Sequence, residues 1–330
     1  MSGVKDILIT AFTLLLSFSL VASIGEECKI DNKRVTCQCD GTQKLYLPDE
    51  YNYKNVTSLS LSSCLTANLL FSSFTEENQL EELVVKNINE LFTLELFLNS
   101  VELKRFELSN IKRIPFVMHD TFLNIKNIEH FEIRNVHIDY FEEQFTAIKT
   151  NHFVMANVTI SRMEGFNISE KGETLQIINC EFRNISTLLN FGHFSKVEIV
   201  NSKFALQKSG NLSIGSELAI IRDNIFFNVS MNVFAAKNIK INSTCADGKS
   251  SLRLSSNKIE SYGNRLPTAI IYTRGQPSNQ SPIVLESNNT ICKAGNCKCP
   301  KSNGENANRP TIIICFFEIL LFFTYSTVRP

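Results

Sequence analysis

The chain predicts a mostly β fold, a parallel solenoid of roughly ten rungs of about 22–25 residues each. Three observations carry that expectation. The first is a recurring phrase, apolar-x-apolar-x-Asn, seen in Phe106-Glu107-Leu108-Ser109-Asn110, Phe131-Glu132-Ile133-Arg134-Asn135 and Leu175-Gln176-Ile177-Ile178-Asn179. Its copies end at Asn87, Asn110, Asn135, Asn157, Asn179 and Asn201, and weaker ones follow around Leu218-Ile220, Ile239-Ile241, Leu252-Leu254 and Ile283-Leu285. The second is period-2 alternation inside the phrase: Phe131 and Ile133 are expected to face inward and Glu132 and Arg134 outward, as in a strand with one buried side. The third is that cysteines gather at both ends of the repeat, where an open stack would expose apolar interior and unpaired strand edges.

Taken in order, residues 1–25 read as a secretory signal peptide: Lys5, an apolar run from Ile7 to Leu16, small residues ending at Gly25, then Glu26-Glu27. Residues 26–64 form a cysteine-bearing cap and first rung, 65–244 the solenoid repeats, and 245–300 irregular last rungs with a second cysteine-bearing cap. Gly263, Pro267, Gly275, Pro277 and Pro282 break the register in this last part and predict a long loop. Residues 301–310 are a polar stalk and 311–330 a hydrophobic tail. Small residues, a short polar spacer and an apolar tail follow the order of a glycolipid-anchor signal, with Ser302, Asn303 and Gly304 as the attachment region. The alternative is a single span, which would carry Glu318 near its centre at a cost of about 2.5–3.5 kcal/mol.

Two groups of four cysteines, Cys28, Cys37, Cys39, Cys64 and Cys245, Cys292, Cys297, Cys299, predict disulfide-stapled caps, with three pairings open within each group. The single-residue gaps in Cys37-Gln38-Cys39 and Cys297-Lys298-Cys299 are narrower than those of structural zinc sites. Cys180 falls mid-repeat at a buried position and is expected to be a packed free thiol. Asn-x-Ser/Thr acceptors stand at Asn55, Asn157, Asn167, Asn184, Asn211, Asn228, Asn242, Asn279 and Asn288, in keeping with a secreted glycoprotein. Lys+Arg and Asp+Glu number 33 each without a basic run, which argues against nucleic acid as a partner. With 25 Phe and no Trp, Phe is the expected core filler.

One full copy runs Ile125, Ile128, Phe131, Ile133, Val136, Ile138, Phe141, Phe145, with polar residues between. That spacing resembles the extracellular leucine-rich repeat, L-x-x-L-x-L-x-x-N-x-L-x-x-L followed by a Phe. The best single matches are Leu59-Ser60-Leu61-Ser62-Ser63-Cys64 and Leu252-Arg253-Leu254-Ser255-Ser256-Asn257-Lys258-Ile259. The likeness covers residues 56–291 and sets Cys64, Ile88, Ile111, Val136, Val158, Cys180, Ser202, Asp223, Thr244, Asn257 and Asn288 where that family buries Asn or Cys. It implies a right-handed stack with one short parallel strand per repeat and irregular or short helical segments on the other side. A turn of helix over Phe141–Ile148 fits apolar residues four and three apart. The alternative is a three-sided right-handed parallel β-helix, in which Asn135 is a turn residue at positive φ between Phe131-Ile133 and Val136-Ile138.

These features point to a non-enzymatic recognition or adhesion protein on the outer cell surface, with an extracellular protein or glycan as partner and the membrane engaged through the tail or its lipid. The Asn column is expected to satisfy neighbouring backbone groups rather than form a ligand ladder. The residues between buried positions offer a partly apolar strip, Val154, Ala156, Gln176, Ile178, Glu198 and Val200, as a partner surface, with the Asn157 sequon in its midst. No nucleophile elbow, phosphate-cradling loop, metal motif or cofactor motif is present in the sequence. The five histidines, His119, His130, His137, His152 and His193, lack ligand spacing, and Glu142-Glu143 is expected to be solvated. A secreted matrix component and a β-helix carbohydrate-active enzyme are the competing functions.

Overall fold

The computed structural model of the protein describes residues 27–47, 53–69, 79–95 and 102–291, apart from 124, 144, 146–147, 169–170, 248–249, 267–269 and 274–280, together with Cys299. The expected signal segment, Asn279, Cys292, Cys297, the anchor region Ser302, Asn303 and Gly304, and the tail 311–330 lie outside the described residues. The chain divides into two units, Met1–Cys297 and Lys298–Pro330, and the fold below is that of the first.

Each copy of the recurring phrase ends at a corner. Asn87, Asn110, Asn135, Asn157, Asn179 and Asn201 all have φ between +48° and +55°, the left-handed conformation that Asn tolerates better than other residues with a Cβ. The column continues at both ends with Ser63 before it and Asp223, Ser243, Gly263 and Asn288 after it, all at positive φ. Before each corner the strand alternates inward and outward, and after it the chain enters a second strand on a new side. The result is a β-solenoid of about ten stacked parallel coils, mostly strand with almost no helix among the described residues.

Three sides of the coil carry parallel pairing. On the first face Ser58–Ser62 pairs with Glu82–Ile88, and the same register runs coil by coil to Ile283–Ser287. On the second face, beyond the Asn corner, Thr66–Leu69 pairs with Leu91–Leu94, and Glu181–Ile185, Cys245–Asp247, Arg265–Leu266 and Thr290–Ile291 continue the later coils. A third face is built from Phe166–Ile168, Leu189–Phe191, Leu212–Ile214, Met231–Val233, Leu252–Leu254 and Ile270–Thr273. Coils therefore continue in register across much of the segment where a long loop was expected. The helical turn expected over Phe141–Ile148 is absent at its described positions: Phe141 ends a strand, and Glu142, Glu143, Phe145 and Ile148 belong to no helix.

The core lies inside the coils and is filled by side chains stacked on their counterparts one coil away. Phe106, Phe131 and Phe153 form a run with ring centroids 5.1 and 4.8 Å apart and planes within 10° of parallel. Phe122, Phe145 and Phe166 close against that run edge-on or tilted, and Phe182, Phe204 and Phe226 make a second run on the second face. Aromatic pairs at these separations contribute about 0.5–1.5 kcal/mol beyond their burial.

The position just inside each corner changes character along the stack. It is Cys64, Ile88, Ile111, Val136, Val158 and Cys180 in the earlier coils, then Ser202, Asn224, Thr244 and Asn264, all buried, followed by half-buried Asn289. The leucine-rich-repeat likeness sets Asp223, Asn257 and Asn288 at this position. Asp223 and Asn288 are instead the corners themselves, and Asn257 lies within the strand Ser251–Tyr262, between its third-face and first-face parts, donating to Ala236 O. Two of the weaker phrases were likewise one residue out: Ala219 and Ile221 point inward where Leu218 and Ile220 were expected, and Ile283 and Leu285 are exposed. A one-residue slip exchanges the two faces of a strand.

The N-terminal coil is closed by an antiparallel hairpin, Cys28–Asp31 on Arg34–Gln38, with Cys28 and Cys37 directly opposite and disulfide-bonded. A second disulfide, Cys39–Cys64, ties the first coil to the next. Cys245 is likewise held in a disulfide, as is Cys299 in the second unit, and Cys180 is the free, buried cysteine among the described residues. Burial pushes its thiol up to about 12, so it is not a nucleophile at neutral pH. Replacing Cys39 and Cys64 together by Ser is expected to lower unfolding free energy by about 3–4 kcal/mol, since the bond closes a 25-residue separation. Urea unfolding with and without reductant checks this; an unchanged midpoint would mean that the stitch contributes nothing.

Candidate functional site

The sequence-derived strip is brought together on the first face. Val154, Gln176 and Glu198 are in direct register on successive coils, and so are Ala156, Ile178 and Val200. Ala156 and Val200 take the outward positions of the alternation but are only 6% and 8% exposed. The strip extends by two residues that sequence reading missed: Leu218 follows Lys196, and Ile220 follows Glu198. Leu218-Ala219-Ile220-Ile221 is apolar throughout, so alternation could not say which pair faces out; counting back from the corner at Asp223 could have done so.

Charges rim this apolar centre. On the N-terminal side Glu132 and Arg134 are in register with Val154 and Ala156 and pair with each other. On the other side Arg222 follows Val200, and Lys240 follows Ile220. Glu198 accepts from Gln176 Nε2 at 3.1 Å and from Lys196 Nζ at 3.0 Å. Burial raises its carboxyl pKa, but the Lys196 and Gln176 hydrogen bonds outweigh that and hold it below the ordinary value. Lys196 and Leu218 also line a groove of about 560 Å³ with Glu173, Thr174, Ser195, Glu217 and Lys237, where Lys237 pairs with Glu217 at 2.7 Å.

Asn157 is not in the plane of the strip. It stands at the corner, at the strip's edge beside Ala156, and its side chain is a rung of an amide ladder. Each Nδ2 donates to the Oδ1 one coil before: Asn110 to Asn87 (2.9 Å), Asn135 to Asn110 (2.6 Å), Asn157 to Asn135 (2.8 Å), Asn179 to Asn157 (3.2 Å) and Asn201 to Asn179 (2.8 Å). The amides satisfy one another, where the sequence pointed to backbone partners. The other described sequons lie mostly away from the strip. Asn184, near the end of the second-face strand Glu181–Ile185, and Asn228 have positive φ, Asn288 is at the last corner, Asn167 and Asn211 are on the third face, Asn242 adjoins a corner and Asn55 lies near the N-terminal end.

The histidines are less scattered than the sequence implied. His130 and His152 stack in register on adjacent coils, 4.7 Å apart and 11° from parallel, and His152 Nδ1 meets Thr174 Oγ1 at 3.0 Å. No group of three or more ligand residues suited to a metal is assembled among the described residues. On the second face His137 Nε2 approaches both Asp139 Oδ1 (3.1 Å) and Ser161 Oγ (3.4 Å), while Arg113 holds Asp139 at 2.6 Å. One ring nitrogen serves both neighbours, so this is not the relay of a catalytic triad, which needs the two nitrogens separately engaged. Glu143 is buried rather than solvated; it accepts from Phe145 N and faces His119 Nδ1 at 3.5 Å.

Two further clusters on the second face were not legible in the sequence. Phe116 packs edge-on against Tyr140 at 4.9 Å, and the Arg162 guanidinium lies over the same ring at 4.8 Å. The Tyr140 hydroxyl donates to Glu164 at 2.6 Å, and that bond pushes its pKa up to about 12. Glu181 pairs with Arg183 at 2.8 Å and Lys203 at 2.9 Å, and its pKa is drawn down to about 2, first by the Arg183 hydrogen bond and then by Lys203, against the opposing effect of burial. A depressed carboxyl contributes stability that is complete above its unfolded pKa, near 4.5, and fades as pH falls toward 2. Because the group is part-exposed, the contribution is expected to be about 1 kcal/mol or less. Glu181→Gln should therefore melt below the wild type at pH 7 and converge with it near pH 2; parallel curves across that window would refute the pairing.

The disulfides indicate an oxidising, extracellular-type environment. Among the described residues no helix is long and apolar enough to cross a membrane. No protein-family profile, curated protein or solved structure matches this chain.

Proposed function

We propose that this protein is a non-enzymatic extracellular recognition or adhesion module, tethered to the outer cell surface, that binds a protein or glycan partner through the first face of its solenoid. The observation that carries this is the outward apolar centre of Val154, Ala156, Ile178, Val200, Leu218 and Ile220, rimmed by Glu132, Arg134, Glu198 and Arg222. An apolar centre inside a charged rim is the layout of a specific interface. Disulfide bonding, the leader-like residues 1–25 and the sequons support an extracellular address. Residues 311–330 support attachment through a lipid anchor placed near Ser302, Asn303 and Gly304. For the finer fold class, parallel pairing on three sides and left-handed Asn corners favour a three-sided parallel β-helix over the leucine-rich repeat, which keeps one strand per repeat.

The test is a binding screen of the glycosylated ectodomain, residues 26–300, against cell-surface ectodomains and glycans, followed by the double variant Ile178→Glu/Ile220→Glu. The variant is expected to weaken the captured partner at least about tenfold, the effect of losing a central anchor. Undiminished binding by a folded double variant would exclude the first face. Retention in an insoluble matrix would instead mark a matrix component, and cleavage of a polysaccharide panel a carbohydrate-active enzyme.

A further inference from the structure

Of the six asparagines joined in the amide ladder, Asn157 alone heads an acceptor sequence, Asn157-Val158-Thr159. A glycan on a hydrogen-bonded rung looks like a conflict, because the nitrogen to be modified is the one that donates to Asn135. The geometry of the ladder removes the conflict.

The Asn157 amide is used in two opposite directions. Its Oδ1 accepts from Asn179 on the following coil at 3.2 Å, and its Nδ2 donates to Asn135 on the preceding coil at 2.8 Å. The hydrogen that serves the ladder is therefore the one anti to the carbonyl; the hydrogen on the carbonyl's own side is not used by it. N-glycosylation forms one bond from Nδ2 to C1 of a diphosphate-activated sugar, breaks that sugar's C1–O bond so that the diphosphate leaves, and releases one proton from Nδ2. The product is a secondary amide, in which the trans form is favoured by about 2.5 kcal/mol. In that form C1 takes the position on the carbonyl's side, and the remaining N–H stays anti to the carbonyl. The N–C1 bond then runs parallel to Cβ–Cγ, away from the corner and into solvent, where Asn157 is already exposed.

We propose that Asn157 is an N-glycosylated rung: its glycan stands on the outer corner of the solenoid and leaves the amide ladder whole. It fences the edge where the first face meets the second, beside Ala156 and Val158, without lying over the columns that begin at Val154 and Ala156. The proposal rests on the extracellular address given above but not on the choice of binding face.

The test uses the full chain made in a eukaryotic secretory host. Glycopeptide mass spectrometry should find sugar on Asn157 as well as on Asn211, an exposed acceptor on the third face. Thermal melts then compare wild type with Thr159→Val, which removes the acceptor sequence but keeps Asn157, and with Asn157→Asp, which keeps a residue tolerant of positive φ but removes the donor. Wild type and Thr159→Val are expected to melt within about 1 °C of each other, and Asn157→Asp several degrees lower, the shift of roughly 1–2 kcal/mol lost where an acceptor faces an acceptor. Sugar on Asn211 with none on Asn157 would overturn the proposal, and so would a Thr159→Val protein that melts several degrees above the wild type. Sugar on neither site would overturn it together with the extracellular address.

Discussion

Phe153→Ala is expected to lower unfolding free energy by about 3–5 kcal/mol, the range for deleting a fully buried aromatic ring. Phe153 is 0% exposed and sits mid-stack, parallel to Phe131 at 4.8 Å and edge-on to Phe145 and Phe166 at 5.9 and 5.8 Å. Its removal opens a cavity bordered by two coils at once. In a stack where each coil touches only its neighbours, the damage weakens one junction and leaves the coils on either side intact. The expected readout is a urea transition that broadens or splits, with the half carrying the Cys39–Cys64 stitch surviving to higher denaturant. A loss under about 1.5 kcal/mol would mean that the ring is not packed as described.

Asn224→Ala is expected to cost about 2–4 kcal/mol for a different reason. Asn224 is fully buried; its Oδ1 accepts from Ser202 N at 2.8 Å and its Nδ2 donates to Ile199 O at 2.7 Å. Alanine removes both partners from groups that water cannot reach, and a buried donor left unpaired costs more than its hydrogen bond contributed. Asn232→Ala supplies the contrast. It changes the same residue type eight positions later, where the side chain is exposed on the third face, and should stay within about 0.5 kcal/mol of wild type. Equal effects at the two positions in thermal melts would show that burial of the polar column does not matter.

How far the sequence could be read differs between the two ends of the stack. From Asn87 to Asn201 the apolar-x-apolar-x-Asn phrase located the corners and the inward pairs, because an Asn stands at a fixed distance after two buried apolar residues, whether the residues between are polar, as Glu132 and Arg134, or apolar, as Val154 and Ala156. Beyond Asn201 the corner becomes Asp223, Ser243 and Gly263, and the inner position becomes polar, so the two landmarks change together. Leu252-Arg253-Leu254 then imitated the phrase although it lies on the third face, while the true corner nearby is Gly263. Of the candidate site, the columns that begin at Val154 and Ala156 were legible from their spacing before the corner at Asn157, since Phe153-Val154-Met155-Ala156 is apolar throughout and alternation alone does not choose a face. The contacts between His130 and His152, or between Phe116 and Tyr140, were not, since they join coils and depend on register that no single rung encodes.

The polar inner column also bears on how the protein ages. Asparagine deamidates when the backbone nitrogen of the following residue attacks its side-chain carbonyl, and a bulky β-branched follower hinders that approach. The ladder residues Asn87, Asn110, Asn135 and Asn157 are followed by Ile88, Ile111, Val136 and Val158. Asn179 and Asn201 are followed by the small Cys180 and Ser202, and there the attacking nitrogens are tied up: Cys180 N donates to Ser202 Oγ at 3.1 Å and Ser202 N to Asn224 Oδ1 at 2.8 Å. Bulk guards the first four rungs and hydrogen bonds guard the last two, so the inner column slows the chemical decay of the outer one.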